Sequence, residues 1–392
     1  MVKGETERDE PKQSMLEIDK SDSNLAAFFC PKSIAVIGSL REASFGGYLT
    51  IEHLLDFGFS GTIYPINPSY ENILGMKAYP SITEVPGDTD LAIVMTPAPT
   101  VPAIIEQCGH KRVKAAIVVS DRFAEMDEEG AELQRQLVNN ARHAGIRILG
   151  PNTVGTVDTT TKVITTPYTM GYRNIPRGSV CLCTQTGLLG PQAFPFEDSH
   201  YGISKLCDFG NKCDVNENDL LRYLAEDENT KVIAMYLEDI KQGHCFLDLA
   251  REVVHKKPII ICKGGRTKES AKAVASHTGS IAGEDQVYDS VFKQAGVIRV
   301  KTLRELTEVA KIFDSQPLPK GNSVGIVTLT GAGGIAGVDT ATEFGLTLAD
   351  FSTETKRKLA DIFPTLAKNP VDVAPIVVPA MVAGDFMLSS QV

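Results

Sequence analysis

The sequence predicts an α/β protein built from doubly wound parallel sheets, and three observations carry that prediction. Short runs of β-branched and other apolar residues recur along the chain, and each run is followed by a segment long enough for a helix. The runs are apolar throughout instead of alternating, which is typical of strands covered by helices on both faces. With 392 residues, 43% of them hydrophobic, the chain is long enough to bury the cores of about two or three domains.

The first predicted α/β domain spans residues 25–155 and follows a flexible, charged N-terminal tail at residues 1–24. Helix-length segments such as EEGAELQRQLVNNARHAG separate its strands. The threonine-rich segment 156–175 that follows is interpreted as a linker or irregular crossing. The five predicted strands are SIAVIG at 33–38, GTIYPIN at 61–67, LAIVMTP at 91–97, AAIVVS at 115–120 and IRILGPN at 146–152.

The alternation of strands and helices resumes in a second α/β domain, predicted over residues 173–315. The motif SVCLCTQTGLLG at 179–190 recurs as SVGIVTLTGAGG at 323–334, and this internal repeat indicates a third, related unit over residues 322–392. That unit has room for little more than a strand and two helices, so we expect it to be incomplete. Either the chain is cut short or another polypeptide completes the unit.

Composition and charge narrow the class of protein. The formal net charge is −10, and the chain has no run of basic residues that could bind along a phosphate backbone. Nucleic acid is therefore not an expected partner. No apolar run approaches the length that spans a bilayer, so we expect a cytoplasmic protein without membrane association. The eight cysteines lie in apolar runs, which suits buried, reduced thiols. Cys181 and Cys183 are interpreted as alternate residues of a buried strand, and no metal site is predicted.

Turn residues follow the first predicted strand and lead into a helix. Gly38, Ser39 and Leu40 end this strand, and such a turn presents backbone N–H groups and a positive helix end to a phosphate-bearing nucleotide. The alternative is a plain tight turn, because the spacing is not G-x-G-x-x-G. Polar or turn residues also end the other strands, where ligands of open α/β sheets bind. These residues include Pro97, Ser120 and Asn152.

Two features of the second domain are candidates for anion chemistry. Thr184, Gln185, Thr186 and Gly187 form a comparable turn, which either presents N–H groups to an anion or is a plain turn. Glu238 closes the strand KVIAMYLE, where a carboxylate is either a solvated rim residue or the partner of a charged group in the crevice.

His277 lies in ASHTGSIAG, among small residues that leave room for a phosphoryl group. An imidazole has an ordinary pKa near 6.5, so near pH 7 it is neutral and can accept a phosphoryl group and release it. Glu238 could hold the other ring nitrogen and stabilise the charged intermediate. An isolated histidine is more commonly a surface or capping residue, but the surrounding motif favours the chemical role.

The chain resembles the NDP-forming acyl-CoA synthetases, which include ADP-forming acetate–CoA ligases and are related to the α subunit of succinyl-CoA synthetase. The resemblance covers about residues 25–380. It rests on an ordered set of motifs: SIAVIGS, IYPINPSYENILGMKAYPSI, DLAIVMTPAP, ILGPNTVG, SVCLCTQTGLLG, NKCDVNENDLLRYLAED, MYLEDI, SHTGSIAGED and IFPTLAKNPVDV.

The resemblance implies a Rossmann-like CoA-binding domain followed by flavodoxin-like domains of the succinyl-CoA synthetase type, the last of them incomplete. It implies that His277 is transiently phosphorylated, that Glu238 stabilises it, and that residues 184–187 hold phosphate. The reversible reaction would convert a carboxylic acid, CoA and ATP into acyl-CoA, ADP and phosphate. The positions that match the family's coenzyme A crevice are Gly38, Ser39, Leu40, Pro97, Ser120 and Asn152.

Two departures from the family pattern matter. The family has glycine in S-x-G-F-x-E where this chain has Arg122, so either the loop is re-formed or Arg122 reaches a phosphate of CoA. No ATP-grasp domain accompanies the motifs that carry the resemblance. ATP or ADP with Mg²⁺ is therefore expected on a partner domain or β subunit of an oligomer. The alternatives to an enzyme are a non-catalytic CoA- or nucleotide-binding regulatory module and the scaffold region of a protein acetyltransferase.

Overall fold

The computed structural model describes residues 22–42, 45–168, 175–187, 202–278 and 284–377. By their mutual contacts, the described residues up to Gln316 form one unit and those from Pro317 onward form a second. Within these described ranges, none of the helices is both long enough and apolar enough to cross a membrane.

The first part of the chain forms a five-stranded parallel sheet and a short hairpin. The strands are β1 (Ser33–Gly38), β2 (Thr62–Ile66), β3 (Asn72–Ile73), β4 (Met76–Lys77), β5 (Leu91–Met95), β6 (Ala115–Val118) and β7 (Arg147–Leu149). The sheet order is β2-β1-β5-β6-β7, and β3 pairs with β4. The chain reverses its direction of winding at β1, so the crevice beyond the carboxyl ends of β1 and β5 is the expected position of a ligand.

The helices α1 (Gly47–Phe57), α2 (Val101–His110) and α3 (Glu128–Ala144) connect these strands. Helix α3 begins where the Asp127 carboxylate accepts the N–H of Gly130 at 2.8 Å, and it ends at Gly145, whose φ is 69°. No described side chain caps α1 in this way, which leaves the N–H groups of its first turn available to a ligand.

A seven-stranded sheet follows in the order β14-β13-β12-β10-β11-β8-β9. Its strands are β8 (Thr156–Asp158), β9 (Val163–Ile164), β10 (Arg177–Thr184), β11 (Ile203–Asp208), β12 (Val232–Leu237), β13 (Ile259–Lys263) and β14 (Ile298–Val300). Strands β10 to β14 are parallel. The described helices are α4 (Glu217–Glu226), α5 (Gly243–Val253), α6 (Lys268–Thr278), α7 (Asp285–Ala295) and α8 (Leu303–Ser315).

The interpretation of residues 156–175 as a linker is wrong for β8 and β9. Strand β8 pairs antiparallel with β11, and β9 pairs with β8, so both extend the second sheet. The pairing places the Asp158 carboxylate 3.0 Å from Nζ of Lys205, and both side chains are almost completely buried. A buried ammonium group requires a partner of this kind. The pairing of β8 with β11 supplies that partner, so tertiary contacts decide the structure of this segment in spite of its turn-rich composition.

One apolar core is shared by the two sheets. It extends from Ile34 of β1 to Cys181 of β10 and Ile260 of β13. The short helical turn Asp22–Phe28 leads into it, and the buried ring of Phe29 stacks on Tyr223 with ring centroids 5.1 Å apart. Because these residues bury one another, we expect the two sheets to depend on each other for stability.

The second unit contains two short parallel strand pairs among its described residues. Strand β15 (Ser323–Val324) pairs with β17 (Thr347–Leu348), and β16 (Val327–Thr328) pairs with β18 (Val371–Asp372). The described helices are α9 (Gly331–Glu343) and α10 (Thr353–Ile362).

The two copies of the repeated motif form the same local turn. At the end of β10, the Thr184 hydroxyl accepts the N–H of Thr186 at 2.8 Å. At the end of β16, the Thr328 hydroxyl accepts the N–H of Thr330 at 3.2 Å. Each hydroxyl also donates to the carbonyl of the same second threonine, so the two Thr-x-Thr-Gly turns have one hydrogen-bonding pattern.

Candidate functional site

A cavity of about 1130 Å³ lies where the carboxyl ends of strands from both sheets of the first unit meet. Ser39 and Ser120 line it from the first sheet, and Thr186 and Asp208 line it from the second. The predicted convergence of strand ends is therefore present, and the crevice extends further than the first sheet alone. A ligand in this cavity would touch the turns that follow β1, β6, β10 and β11.

The turn after β1 has a shape that requires glycine. Gly38 has a φ of 150°, and a Cβ on it would lie 2.7 Å from the carbonyl oxygen of Met95. The side-chain amide of Asn67 donates to the Gly38 carbonyl at 2.7 Å and so holds the turn in place. Ser39 lines the cavity, whereas Leu40 is fully buried in the core. The contact of Leu40 with CoA stays a prediction.

Hydrogen bonds tie the other strand ends of the first sheet together. Ser120 donates its hydroxyl to the Thr96 carbonyl at 2.5 Å, and the N–H of Asn152 donates to the Ser120 carbonyl at 2.9 Å. Asn152 has a left-handed φ of 59°, and Pro97 precedes the turn that begins α2. All of these residues line the cavity, including the three that the sequence singled out here.

A second cavity of about 470 Å³ adjoins the first one. The two share Ser39, Met95, Thr96 and Pro97 as lining residues. Together they form an elongated space along the end of the first sheet, which suits a long ligand with more than one chemical part.

The Thr-x-Thr-Gly turn forms the far wall of the larger cavity. Thr184 is the last residue of β10, and Gln185, Thr186 and Gly187 line the cavity. A Cβ on Gly187 would lie 3.5 Å from the nearer carboxylate oxygen of Asp208, so this turn and that carboxyl group are neighbours. The contact of these four residues with phosphate stays a prediction.

Gln185 positions the loop that follows β12. Its side-chain oxygen accepts the N–H groups of Glu238 at 2.8 Å and Asp239 at 3.3 Å, and its amide nitrogen donates to the Asp239 carboxylate at 2.9 Å. Its own N–H donates to the Tyr236 carbonyl at 3.1 Å. The visible role of Gln185 is thus to hold Glu238 in place beside the turn, a role that its position in the sequence did not reveal.

Glu238 is only 5% exposed, so the alternative of a solvated rim residue is wrong. Tyr236 donates its hydroxyl to the carboxylate at 3.4 Å, and the buried ammonium of Lys263 donates to the Glu238 carbonyl at 2.7 Å. Burial lowers the pKa of Lys263 to about 8. Sequence reasoning missed Lys263, although its place at the end of the apolar run IIICK was a signal for a buried lysine with a specific partner.

His277 is the penultimate residue of α6, and its side chain lies outside the described part of the structure, as do residues 279–283 of the same motif. The sequence analysis singled out the small residues around His277, and the structure adds that the backbone is helical up to Thr278. The pairing of His277 with Glu238 stays a prediction.

Asp208 is a second buried acid beside the Thr-x-Thr-Gly turn, at 1% exposure. Its carboxylate accepts the N–H groups of Val154 at 2.8 Å and Gly210 at 3.2 Å. Burial nevertheless outweighs these bonds and raises the pKa of Asp208 to about 6. The carboxyl group can therefore hold a proton at mildly acidic pH next to the place predicted for phosphate.

Buried ion pairs fix the loops behind the cavity. Lys212, which is completely buried and has a φ of 51°, places Nζ 3.0 Å from the Glu217 carboxylate and also contacts that of Asp239. Burial alone would raise the pKa of Asp239, but Lys212 and Lys241 outweigh it and hold that pKa at about 2. Among the residues that the structure describes, no group of three or more His, Cys, Asp or Glu is arranged to hold a metal ion.

Two family models match the chain. A CoA binding domain matches residues 32–159, and a succinyl-CoA ligase like flavodoxin domain matches residues 177–313. The first match contains the five-stranded sheet and the second contains most of the seven-stranded sheet. The fold and the shared cavity thus define an α/β protein of the CoA-binding, succinyl-CoA ligase-like class.

Comparison with individual proteins leads to the family. The chain is 42% identical over 364 residues to the ADP-forming acetate–CoA ligase II of Archaeoglobus fulgidus, covering 92% of this chain and 54% of that protein. It is 40% identical over 357 residues to the α subunit of the ADP-forming acetate–CoA ligase I of Pyrococcus furiosus, covering 89% of this chain and 76% of that subunit. This chain belongs to the NDP-forming acyl-CoA synthetase family, in the part that corresponds to the α subunit of ADP-forming acetate–CoA ligases.

A solved structure agrees with this assignment. The dinucleotide forming acetyl-coenzyme A synthetase 1 of Ca. Korarchaeum cryptofilum, in complex with phosphate and ADP, superposes with a TM-score of 0.84 at 35% identity, covering 89% of this chain and 75% of that one. The present chain spans about half the length of the A. fulgidus relative.

Proposed function

We propose that this chain is the CoA-binding and phosphohistidine-carrying part of an ADP-forming acyl-CoA synthetase. The observation that carries the proposal is the single cavity that joins the strand ends of the CoA-binding domain to the Thr-x-Thr-Gly turn and Asp208 of the flavodoxin-like domain. A thioester-forming enzyme needs this arrangement, because CoA and the activated acid must meet in one space.

The residues of the first sheet fit coenzyme A. Gly38 and Gly46 have positive φ values, and a Cβ on either residue would crowd a neighbouring carbonyl group. Because glycine has no Cβ, a ligand can approach the main chain closely at both positions. The α1 N-terminus beside Gly46 offers N–H groups to phosphate. Coenzyme A would supply the thiol that receives the acyl group, and Ser39, Pro97, Ser120 and Asn152 would hold it.

The phosphoryl group would be carried on His277 in a balanced sequence of three transfers. Attack of the His277 imidazole on the γ-phosphate of ATP breaks the bond to ADP and forms the phosphohistidine. The carboxylate of the acid then takes the phosphoryl group as an acyl phosphate and frees the imidazole. Attack of the CoA thiolate on the acyl carbon forms the thioester and releases phosphate. Glu238 would steady the imidazolium, and the Thr184–Gly187 turn would hold phosphate.

The nucleotide step would need an ATP-grasp domain or β subunit that binds ATP or ADP with Mg²⁺, in an oligomeric, cytoplasmic enzyme. The motivating observation is the 40% identity to a protein named as an α subunit. The acid would be a small carboxylate.

The test combines the full chain, the ATP-grasp partner and radiolabelled ATP with Mg²⁺. Label in the γ position should appear on the chain as an acid-labile phosphate, label in the α position should not, and His277→Ala should abolish it. CoA affinity by calorimetry should survive in His277→Ala, which shows that the variant is folded. An active complex whose chain stays unlabelled would overturn the phosphohistidine, and CoA binding without turnover in any mixture would indicate a regulatory module.

A further inference from the structure

Resting on the CoA binding proposed above, we propose that the guanidinium of Arg122 binds a phosphate group of coenzyme A in the larger cavity. Arg122 stands in the loop after β6, lines the cavity and is exposed. Three independent features of the structure carry this inference, namely the backbone shape of the loop, its anchoring, and the charges around the cavity.

The loop keeps a backbone shape that favours glycine. Arg122 has a φ of 69°, in the left-handed region where a side chain is disfavoured. A glycine would adopt this conformation without strain, so the position has the backbone shape for which a glycine is suited. The arginine side chain is retained in a conformation that costs free energy, which is a common property of functional positions.

Hydrogen bonds and a buried ring hold this shape. The Glu125 carboxylate accepts the N–H groups of Arg122 at 2.7 Å and Phe123 at 3.1 Å, and its other oxygen accepts the side-chain amide of Asn211 from the turn after β11. Phe123 is completely buried in the core. The main chain under the guanidinium is thus fixed, while no hydrogen bond or ion pair of the guanidinium itself occurs among the described residues.

Charge gives the strongest argument. Among the described residues that line the cavity, Arg122 is the one cation, and it stands with four acids, which are Asp121, Asp127, Glu129 and Asp208. Coenzyme A brings a diphosphate and a 3′-phosphate, which acidic walls repel. A guanidinium matches the paired oxygens of a phosphate and remains charged at any physiological pH.

The test measures binding of CoA, 3′-dephospho-CoA and pantetheine to the full chain by calorimetry, for the wild type, Arg122→Gln and Arg122→Gly. We expect both variants to bind CoA about tenfold or more weakly, as for loss of a charge-assisted hydrogen bond. If the partner is the 3′-phosphate, dephospho-CoA binding is unchanged by the substitution. If the partner is the diphosphate, the substitution lowers the affinities for CoA and dephospho-CoA by the same factor. Pantetheine binding should be unchanged in either case.

Arg122→Gly separates binding from folding. Glycine accepts the observed φ without strain, so this variant should melt at a higher temperature while binding CoA more weakly. The control is Arg135→Gln, which removes the same charge from the exposed Arg135–Glu132 pair of α3 and should leave CoA affinity unchanged. Wild-type affinity in both Arg122 variants would overturn this inference alone, whereas a wild type that does not bind CoA would overturn the proposed function instead.

Discussion

Asp208 combines burial with a place beside the predicted phosphate turn, and its titration should be visible in stability. Its pKa is about 6 in the folded protein against 3.8 for an ordinary aspartate. Below pH 3.8 the carboxyl is protonated in both states; between 3.8 and 6 only the folded protein keeps the proton. The free energy of unfolding should therefore fall by about 3 kcal/mol as pH rises through this window, and stay level above it.

Asp208→Asn cannot titrate, so its urea-unfolding free energy between pH 4 and 7 should lack this downward slope. Asp239, whose pKa is held at about 2, acts in the opposite direction, but its window lies below pH 3.8 and does not overlap. Parallel pH profiles for the wild type and Asp208→Asn would show that Asp208 is not the titrating group.

Lys212 is the centre of the buried charges behind the cavity. Lys212→Met would leave Glu217 buried without its cation and weaken the environment of Asp239, so we expect a loss of about 3–5 kcal/mol in unfolding free energy. The double variant with Glu217→Gln should lose less than the two single variants added together, because it removes both charges of the pair. Additive losses in urea unfolding would mean that this pair is not coupled.

At its carboxyl end, strand β1 packs so closely against β5 that only glycine fits at Gly38. Gly38→Ala would place a Cβ 2.7 Å from the Met95 carbonyl on β5 and force a side chain to a φ of 150°. Gly58→Ala, at the end of α1, would share only the backbone strain, since its φ is 88° and nothing lies within 4 Å of the new Cβ.

We expect Gly58→Ala to cost about 1 kcal/mol and Gly38→Ala clearly more, together with weaker CoA binding because the cavity wall would shift. Thermal unfolding and calorimetry with CoA would measure both effects. Equal losses for the two variants would argue that the contact between β1 and β5 is looser than described.

At the scale of elements, the apolar runs predicted the strands of both sheets well because strands buried on both faces have a simple signature. Strands β8 and β9 were missed, since threonines and turn formers carry no such signature, and the pairing with β11 decides their structure. The role of Gln185 was missed for a similar reason: its partners, Glu238 and Asp239, are distant in sequence.

At the scale of the molecule, the core shared by the two sheets has a measurable consequence. We expect a chain that ends at Gln316 to unfold in one cooperative transition in calorimetry, because Ile34 and Ile260 belong to one apolar cluster. A fragment of residues 25–155, the predicted first domain, would expose its own part of that cluster and lack the larger part, which lies beyond residue 155, so it should be much less stable. Two well-separated transitions in the longer chain would contradict this expectation.

The sequence by itself determined the class of fold, the family and most candidate residues, because apolar runs and short turn motifs are local properties of the chain. Only the tertiary structure decided that the strand ends of two sheets enclose one cavity, that Glu238 is buried, and that Arg122 is the cation of the described cavity wall. These facts depend on the distance and burial of residues far apart in the chain, and no local pattern encodes them.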